Sequence, residues 1–326
     1  MKVTVIGAGA WGTALANLLC QNGHAVSLWG HDPAHLAEVR QTGRNELYLP
    51  GIRLPPELRC EPDLQAAAAG SECLVVAVPS RFLRDVAARL SWFRGIAVSV
   101  TKGIEDETGL TMSGILRATM PGAEAAALSG PSFAPEVARG IPGAIVAAHP
   151  EPLIAKKIQV LFHRPTFRVY TSGDLLGVEL GGALKNVVAI AAGVGDGLGY
   201  GDNTKAALIT RAMAEIRRLG VACGACAETF SGLSGLGDLT ATCFSRLSRN
   251  RRFGEQVGRG EKVEEIVAGA VAVVEGYPTA RSAHHLSGRL GIQTPIVREV
   301  FAMLYEQKNV PQAVQSLLTR DMKPED

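Results

Sequence analysis

The turn after the first strand restricts this chain more than any other feature. Lys2–Ile6 reads as a strand, and Gly7-Ala8-Gly9-Ala10-Trp11-Gly12 follows at once and opens a helical pattern. G-x-G-x-x-G alone is weak, because glycine is common here. Between a strand and a helix it is the dinucleotide-binding turn. Gly7, Gly9 and Gly12 permit a tight turn and close approach to a pyrophosphate, whose charge the helix N-terminus favours.

The first half continues as that start requires. Short apolar runs at residues 2–6, 25–29, 73–78, 96–100, 125–128, 143–148 and 167–171 alternate with helical patterns at 12–22, 33–40, 80–90, 111–119 and 152–162. Several runs are rich in valine and isoleucine and apolar on both faces, as in a buried parallel sheet. From about Ser172 the strand runs stop and helical stretches take over, punctuated by Gly and Pro at 195–201, 232–237 and 276–278. The pattern predicts an α/β fold. Residues 1–172 form an N-terminal Rossmann-type doubly wound, mostly parallel sheet, and residues 173–326 a C-terminal all-α domain. Asp174 is the expected N-cap at the junction. The charged tail, 322–326, is expected to fray.

The second half carries one conspicuous residue. Lys185 lies in a stretch apolar almost all the way round: Leu175, Leu176, Val178, Leu180, Ala183, Leu184, Val187, Val188, Ile190 and Ala191. Such a helix is expected to be buried. A buried lysine is costly unless paired or performing chemistry, and burial lowers its pKa toward the range of a proton donor. Asp238, at the end of a Gly-rich approach, shares a helix face with Thr242 and can hold a neighbouring lysine. Arg246, Arg249, Arg251 and Arg252 are four arginines in seven residues, a cluster that suits either phosphate binding or a solvated basic face.

In open α/β sheets ligands sit outside the carboxyl ends of the strands. Val78-Pro79-Ser80, Thr101-Lys102-Gly103 and Ser129-Gly130-Pro131-Ser132 should meet there. Lys102 at a strand end can meet an anion or point into solvent, and Ser132 can serve the site or cap a helix. The second strand ends at Trp29-Gly30-His31-Asp32, where an NAD-specific site usually places an acid to hold the ribose hydroxyls. With Asp32 displaced and His31 nearer the tip, NAD and NADP both stay open.

Composition narrows the class. At 326 residues, 47% hydrophobic and a net charge of +2, the chain carries no field suggesting nucleic acid or membrane partners. No uninterrupted apolar run approaches the ~18 residues of a membrane span, and Met1 leads straight into the first strand, so a cytoplasmic protein without membrane insertion is expected. The cysteines of Cys223-Gly224-Ala225-Cys226 read as reduced helix-turn residues, and adjacent His284 and His285 cannot share a helix face, so no metal site is expected. Trp29, Trp92 and the phenylalanines read as core.

Several longer stretches carry a family likeness: Tyr48-Leu49-Pro50-Gly51, Thr101-Lys102-Gly103, Ser129-Gly130-Pro131-Ser132-Phe133-Ala134, Leu184-Lys185-Asn186-Val187, Gly201-Asp202-Asn203-Thr204-Lys205, Gly235-Leu236-Gly237-Asp238-Leu239, Ser248-Arg249-Asn250-Arg251 and Val274-Glu275-Gly276-Tyr277. With the N-terminal turn they make the chain resemble the bacterial-type NAD(P)-dependent glycerol-3-phosphate dehydrogenases. The resemblance runs nearly end to end.

It implies reversible reduction of dihydroxyacetone phosphate to sn-glycerol 3-phosphate with NAD or NADP, supplying glycerophospholipid synthesis. By resemblance, Lys185 is the proton donor and acceptor, supported by Asp238 and Lys102. Lys102, Gly130, Ser132, Lys185, Asn186, Asp238, Ser248, Arg249 and Asn250 line the substrate. The turn residues Gly7, Gly9, Ala10, Trp11 and Gly12 serve the cofactor, together with His31, Tyr48, Lys102, Ala134, Arg249, Val273 and Glu275. Ala10 replaces a serine frequent in the family, which removes one hydroxyl but no backbone contact. The partner is a small phosphorylated molecule, and fold analogy suggests a homodimer. The rival readings are a two-domain hydroxy-acid or keto-acid reductase, which needs a carboxylate clamp, and a non-catalytic NAD(P)-sensing protein, which needs no lysine in an apolar helix.

Overall fold

The computed structural model describes residues 1–322; of the expected fraying tail, 323–326 lie outside the described residues. Strands and helices alternate as β1 (Lys2–Ile6), α1 (Ala10–Gln21), β2 (Ala25–Trp29), α2 (Pro33–Thr42), β3 (Arg59–Cys60), α3 (Leu64–Ala68), β4 (Cys73–Val76), α4 (Ser80–Ala88), β5 (Ile96–Ser99), α5 (Met112–Thr119), β6 (Glu124–Ser129), α6 (Ala134–Ala138), β7 (Gly143–Ala148), α7 (Pro152–Phe162) and β8 (Phe167–Ser172). They form one eight-stranded sheet in the order β3-β2-β1-β4-β5-β6-β7-β8. Every neighbouring pair is parallel except β6 with β7, where Ala127 faces Ala148 in antiparallel register. The chain reverses between Ser129 and Gly143, by way of α6, so β7 and β8 extend the Rossmann sheet in the opposite sense. Apolar clusters cover both faces of the sheet, one around Val5, Leu15 and Leu28, the other around Ile6, Leu74 and Ile115.

After Ser172 the described residues are helical: α8 (Leu175–Gly197), α9 (Asp202–Ala222), α10 (Asp238–Phe244), α11 (Arg249–Gly258), α12 (Val263–Gly269), α13 (Gly276–Arg289), α14 (Pro295–Tyr305) and α15 (Val310–Leu318), with short 3-10 and π turns at Ala227–Ser231 and Leu233–Gly237. Asp174 caps α8 as expected. Its Oδ1 accepts from Gly177 N at 2.9 Å, and its Oδ2 accepts from Cys226 N and Thr229 Oγ1.

As expected, the sequence has no uninterrupted apolar run as long as a membrane span. α8 has the length and hydropathy (1.5) of one, despite its Glu, Lys and Asn, yet 89% of that stretch is buried inside the protein. It is the central helix of the second core, ringed by α9, α10, α11, α13 and α14. Trp92 departs from its core reading. It is 44% exposed, with its indole N–H on Gln65 Oε1, whereas Trp29 is 5% exposed. Phe82 and Phe244 are likewise exposed.

Carboxylates tie the two halves together. Glu179 on α8 accepts from Ser113 N and Oγ, at 2.7 and 2.5 Å, at the start of α5. Glu275 accepts from Ser80 N and Oγ, at 3.0 and 2.6 Å, at the start of α4. Each carboxylate thereby satisfies an amide that its partner helix leaves unpaired. Asp106, after β5, accepts from Arg281 Nε and His285 Nδ1 of α13. His284 stacks on Phe301 instead. These ties fix the crevice between sheet and helices.

Candidate active site

The dinucleotide turn is built as the motif requires. Gly7 adopts φ +121°, and a Cβ there would lie 2.7 Å from Ala77 O; one on Gly12 would lie 1.9 Å from Gly7 O. Only glycine closes this turn. Gly9 is the N-cap of α1 without a side-chain bond, and no acid stands in the first helical turn. The leading amides of α1 therefore fit a pyrophosphate. Trp11 and Tyr48 are half-buried, Ala134 begins α6, and His31 is exposed beyond β2. Asp32 is the N-cap of α2, its Oδ1 accepting from Ala34 N and His35 N. Those amides, His35 foremost, hold its carboxyl below the usual range. No acid stands at the strand tip itself, which is Gly30.

The second constellation lies where β5 and β6 end against α8 and α10. Lys185 is 7% exposed and Asp238 2%. Lys185 Nζ donates to Asp238 Oδ1 at 2.7 Å and to Thr242 Oγ1 at 2.6 Å. Lys102 Nζ donates to the other oxygen, Asp238 Oδ2, at 2.5 Å and to Gly130 O at 3.0 Å. One carboxylate thus bridges two ammonium groups brought from a strand end and a helix. Burial is the largest influence on Lys185 and, with Lys102 adding to it, overcomes the pull of Asp238 and lowers the lysine pKa to about 8. Burial pushes Asp238 upward, but the two ammonium groups outweigh it and keep the carboxylate ionised, below its ordinary value.

Local sequence explains the delivery. The Gly-rich segment winds into the π turn that runs directly into α10, a local irregularity often found at functional sites. Thr242, one turn later, meets the same lysine, as its i, i+4 spacing from Asp238 suggested. Lys102 follows β5 directly, so the strand-end rule places it here rather than in solvent.

α11 supplies the remaining polar groups. Arg249 is its first residue, exposed and in no ion pair among the described residues. A cavity of about 680 Å³ opens beside it, lined also by Arg252, Phe253 and Val274. Asn250 Nδ2 donates to Asn186 Oδ1 at 2.8 Å, and Asn250 Oδ1 accepts from Gly276 N at 2.9 Å. Ser248 is 3% exposed, and its hydroxyl accepts from Arg251 N as the helix cap. Ser132 is not a cap; its Oγ donates to Gly130 O at 2.9 Å.

The arginine cluster does not act as a unit. Arg251 is turned inward, with Nε 2.6 Å from Asp196 Oδ2, and Lys205 Nζ lies 2.7 Å from Asp196 Oδ1. Arg251 therefore anchors the helix, while Arg249, two positions earlier, lines the cavity beside α11. Val273 is half-buried in the segment leading to Glu275, whose carboxylate is held by Ser80. Burial pushes that carboxyl upward, against the pull of the Ser80 bonds. Glu179 and Asp196 had no motif to mark them.

Comparison with known proteins agrees across the whole chain. The family described as NAD-dependent glycerol-3-phosphate dehydrogenase N-terminus matches residues 2–155, and its C-terminus counterpart matches residues 174–315. A glycerol-3-phosphate dehydrogenase (NAD(P)+) from Geobacter sulfurreducens is 48% identical over 330 residues, covering 99% of this chain and 98% of the relative. Another of that name from Syntrophotalea carbinolica is 47% identical over 331 residues, covering 100% and 99%. The crystal structure of a glycerol-3-phosphate dehydrogenase from Coxiella burnetii superposes with a TM-score of 0.94 at 36% identity, covering 98% of this chain and 99% of that one.

Proposed function

We propose a mechanism from one premise: the chain belongs to the NAD-dependent glycerol-3-phosphate dehydrogenase family. It is an oxidoreductase that interconverts dihydroxyacetone phosphate and sn-glycerol 3-phosphate with NAD or NADP, on the route to glycerophospholipids. The observation that carries the residue assignments is the buried Lys185–Asp238–Lys102 bridge. Residues 1–172 take the cofactor and residues 173–326 supply most of the substrate groups.

When bound along Gly7–Gly12, NADH or NADPH supplies the hydride for C2 of the substrate. Lys185 then donates its proton to the C2 oxygen as charge develops there, and Lys102 adds positive charge beside it. Asp238 fixes both ammonium groups, and Thr242 holds the Lys185 Nζ in its line. Arg249 binds the substrate phosphate, with Asn250 steadied by Asn186, so that the carbonyl is presented in one orientation. Gly130, Ser132 and Ser248 form the walls of this pocket, and Trp11, His31, Tyr48, Ala134, Val273 and Glu275 border the cofactor. We extend the reading to a cytoplasmic homodimer, by family resemblance; sedimentation as a single chain would remove the dimer.

NAD(P)H oxidation on adding dihydroxyacetone phosphate tests the activity, and absence of turnover would reject it. In the same assay Arg249→Ala should raise the substrate KM by about tenfold to a hundredfold, as loss of a charge-assisted phosphate bond predicts. An unchanged KM would remove Arg249 from the phosphate site.

The pH dependence follows from Lys185. Reduction needs the protonated amine, so its rate should fall above about pH 8; oxidation needs the neutral amine, so its rate should rise through the same region. Profiles moving in the same direction for both reactions would take Lys185 out of proton transfer.

A further inference from the structure

We infer that Asn45 is a positioning residue for the cofactor: it locks the dinucleotide turn and the Tyr48 loop into one unit. The inference rests on the reading that Gly7–Gly12 hold NAD(P)H. Asn45 is 1% exposed, in the loop between α2 and β3. A polar side chain so placed is costly unless its bonds are filled, and here all are filled. Its Nδ2 donates to Ala8 O at 2.9 Å and to Thr13 Oγ1 at 2.8 Å. Its Oδ1 accepts from Tyr48 N at 3.2 Å and lies 3.0 Å from His35 Nε2. Ala8 O can only accept, which sets the amide orientation, so His35 presents an N–H at Nε2.

The bond to Ala8 O bears directly on anion binding. Ala8 C=O and Gly9 N–H belong to one trans peptide plane and point in opposite directions. Holding the oxygen inward turns the Gly9 N–H outward, beside the leading amides of α1. A free Ala8 peptide could rotate and present its carbonyl, which repels a pyrophosphate. Through the Tyr48 amide and His35 the same side chain sets the far wall of the site, where the Tyr48 and His35 rings meet edge-on at 5.2 Å. Aspartate has the same shape but no donors, and it adds a charge that repels the ligand.

The test is the Kd for NADPH by fluorescence titration, with kcat and the KM for dihydroxyacetone phosphate at saturating NADPH, in the parent, Asn45→Ala and Asn45→Asp. Asn45→Ala should raise the NADPH Kd about tenfold, as loss of a buried hydrogen-bond set predicts, and Asn45→Asp by more. Both should leave kcat and the substrate KM within about twofold, because the Lys185 site is untouched. A folded Asn45→Ala with an unchanged Kd, or with Kd and substrate KM rising together, would overturn the inference. If the alanine variant does not fold, His35→Leu removes one donor from the half-buried edge; it should raise the Kd about threefold, and no change would overturn the inference equally. A parent that binds no NADPH would remove the cofactor reading itself.

Discussion

Lys185→Ala should lower kcat for dihydroxyacetone phosphate reduction by about a thousandfold or more while NADPH binds as before. A positioned general acid contributes about a hundredfold to ten-thousandfold, and loss of positive charge beside the developing oxyanion adds to that. The cofactor turn is on α1, whereas Lys185 is on α8, so its removal leaves that turn intact. The fold should also survive. Asp238 keeps the Lys102 ammonium at 2.5 Å, so the substitution does not strand a buried carboxylate without a partner. Asp238→Asn is the more damaging change to the site as a whole, because it leaves two ammonium groups facing each other without their common anion. Steady-state kinetics with a fluorescence titration of NADPH decides the first prediction; a kcat within tenfold of the parent would reject Lys185 as the acid.

The sequence announced Lys185 because burial can be read from an apolar helix, but it could not announce the geometry around it. Lys102 and Asp238 are 136 residues apart, and no periodicity links them. Only the rule that ligands gather at strand ends brought Lys102 to the crevice. Strands such as β1 and β4 were legible from their valine and isoleucine. β3 was not: Arg59–Cys60 is a two-residue edge with no apolar run. α3, five residues long, fell below the length at which helical spacing is visible. The arginine cluster shows a different failure. Arg249 and Arg251 are two positions apart, about 200° around a helix, so they cannot both face one phosphate. Helix phase alone separates them, but it takes Asp196, 55 residues earlier, to show which one is turned inward.

Gly254→Ala and Gly193→Ala should each destabilise the fold and lower kcat/KM for dihydroxyacetone phosphate by about a hundredfold, the latter being the effect of displacing a reacting geometry by about 1 Å. α8 and α11 cross with their backbones in contact through Gly-x-x-x-Gly on both helices, Gly193 and Gly197 against Gly254 and Gly258. Small residues at that spacing let two helices approach backbone to backbone. A Cβ on Gly254 would lie 2.0 Å from Ile190 O, and one on Gly193 would lie 1.9 Å from Arg251 O. Those neighbours are main-chain atoms and cannot swing aside as a flexible side chain can. Helix propensity works the other way, favouring alanine over glycine by about 1 kcal/mol. Overpacking costs about 1–3 kcal/mol in ordinary cores and more where backbone must move, so the net effect is loss. The consequence for chemistry follows from what the helices carry. α8 holds Lys185 and Asn186, and α11 begins with Arg249 and Asn250, so the glycine contact sets the distance from acid to phosphate clamp. Gly288→Ala, on α13 with nothing within 4 Å of its added carbon, is the control and should leave activity unchanged with equal or higher Tm. Thermal melts with kinetics on the three variants separate the cases. If the α8–α11 variants match the control in both readouts, the crossing is looser than this packing allows and does not set the geometry of the site.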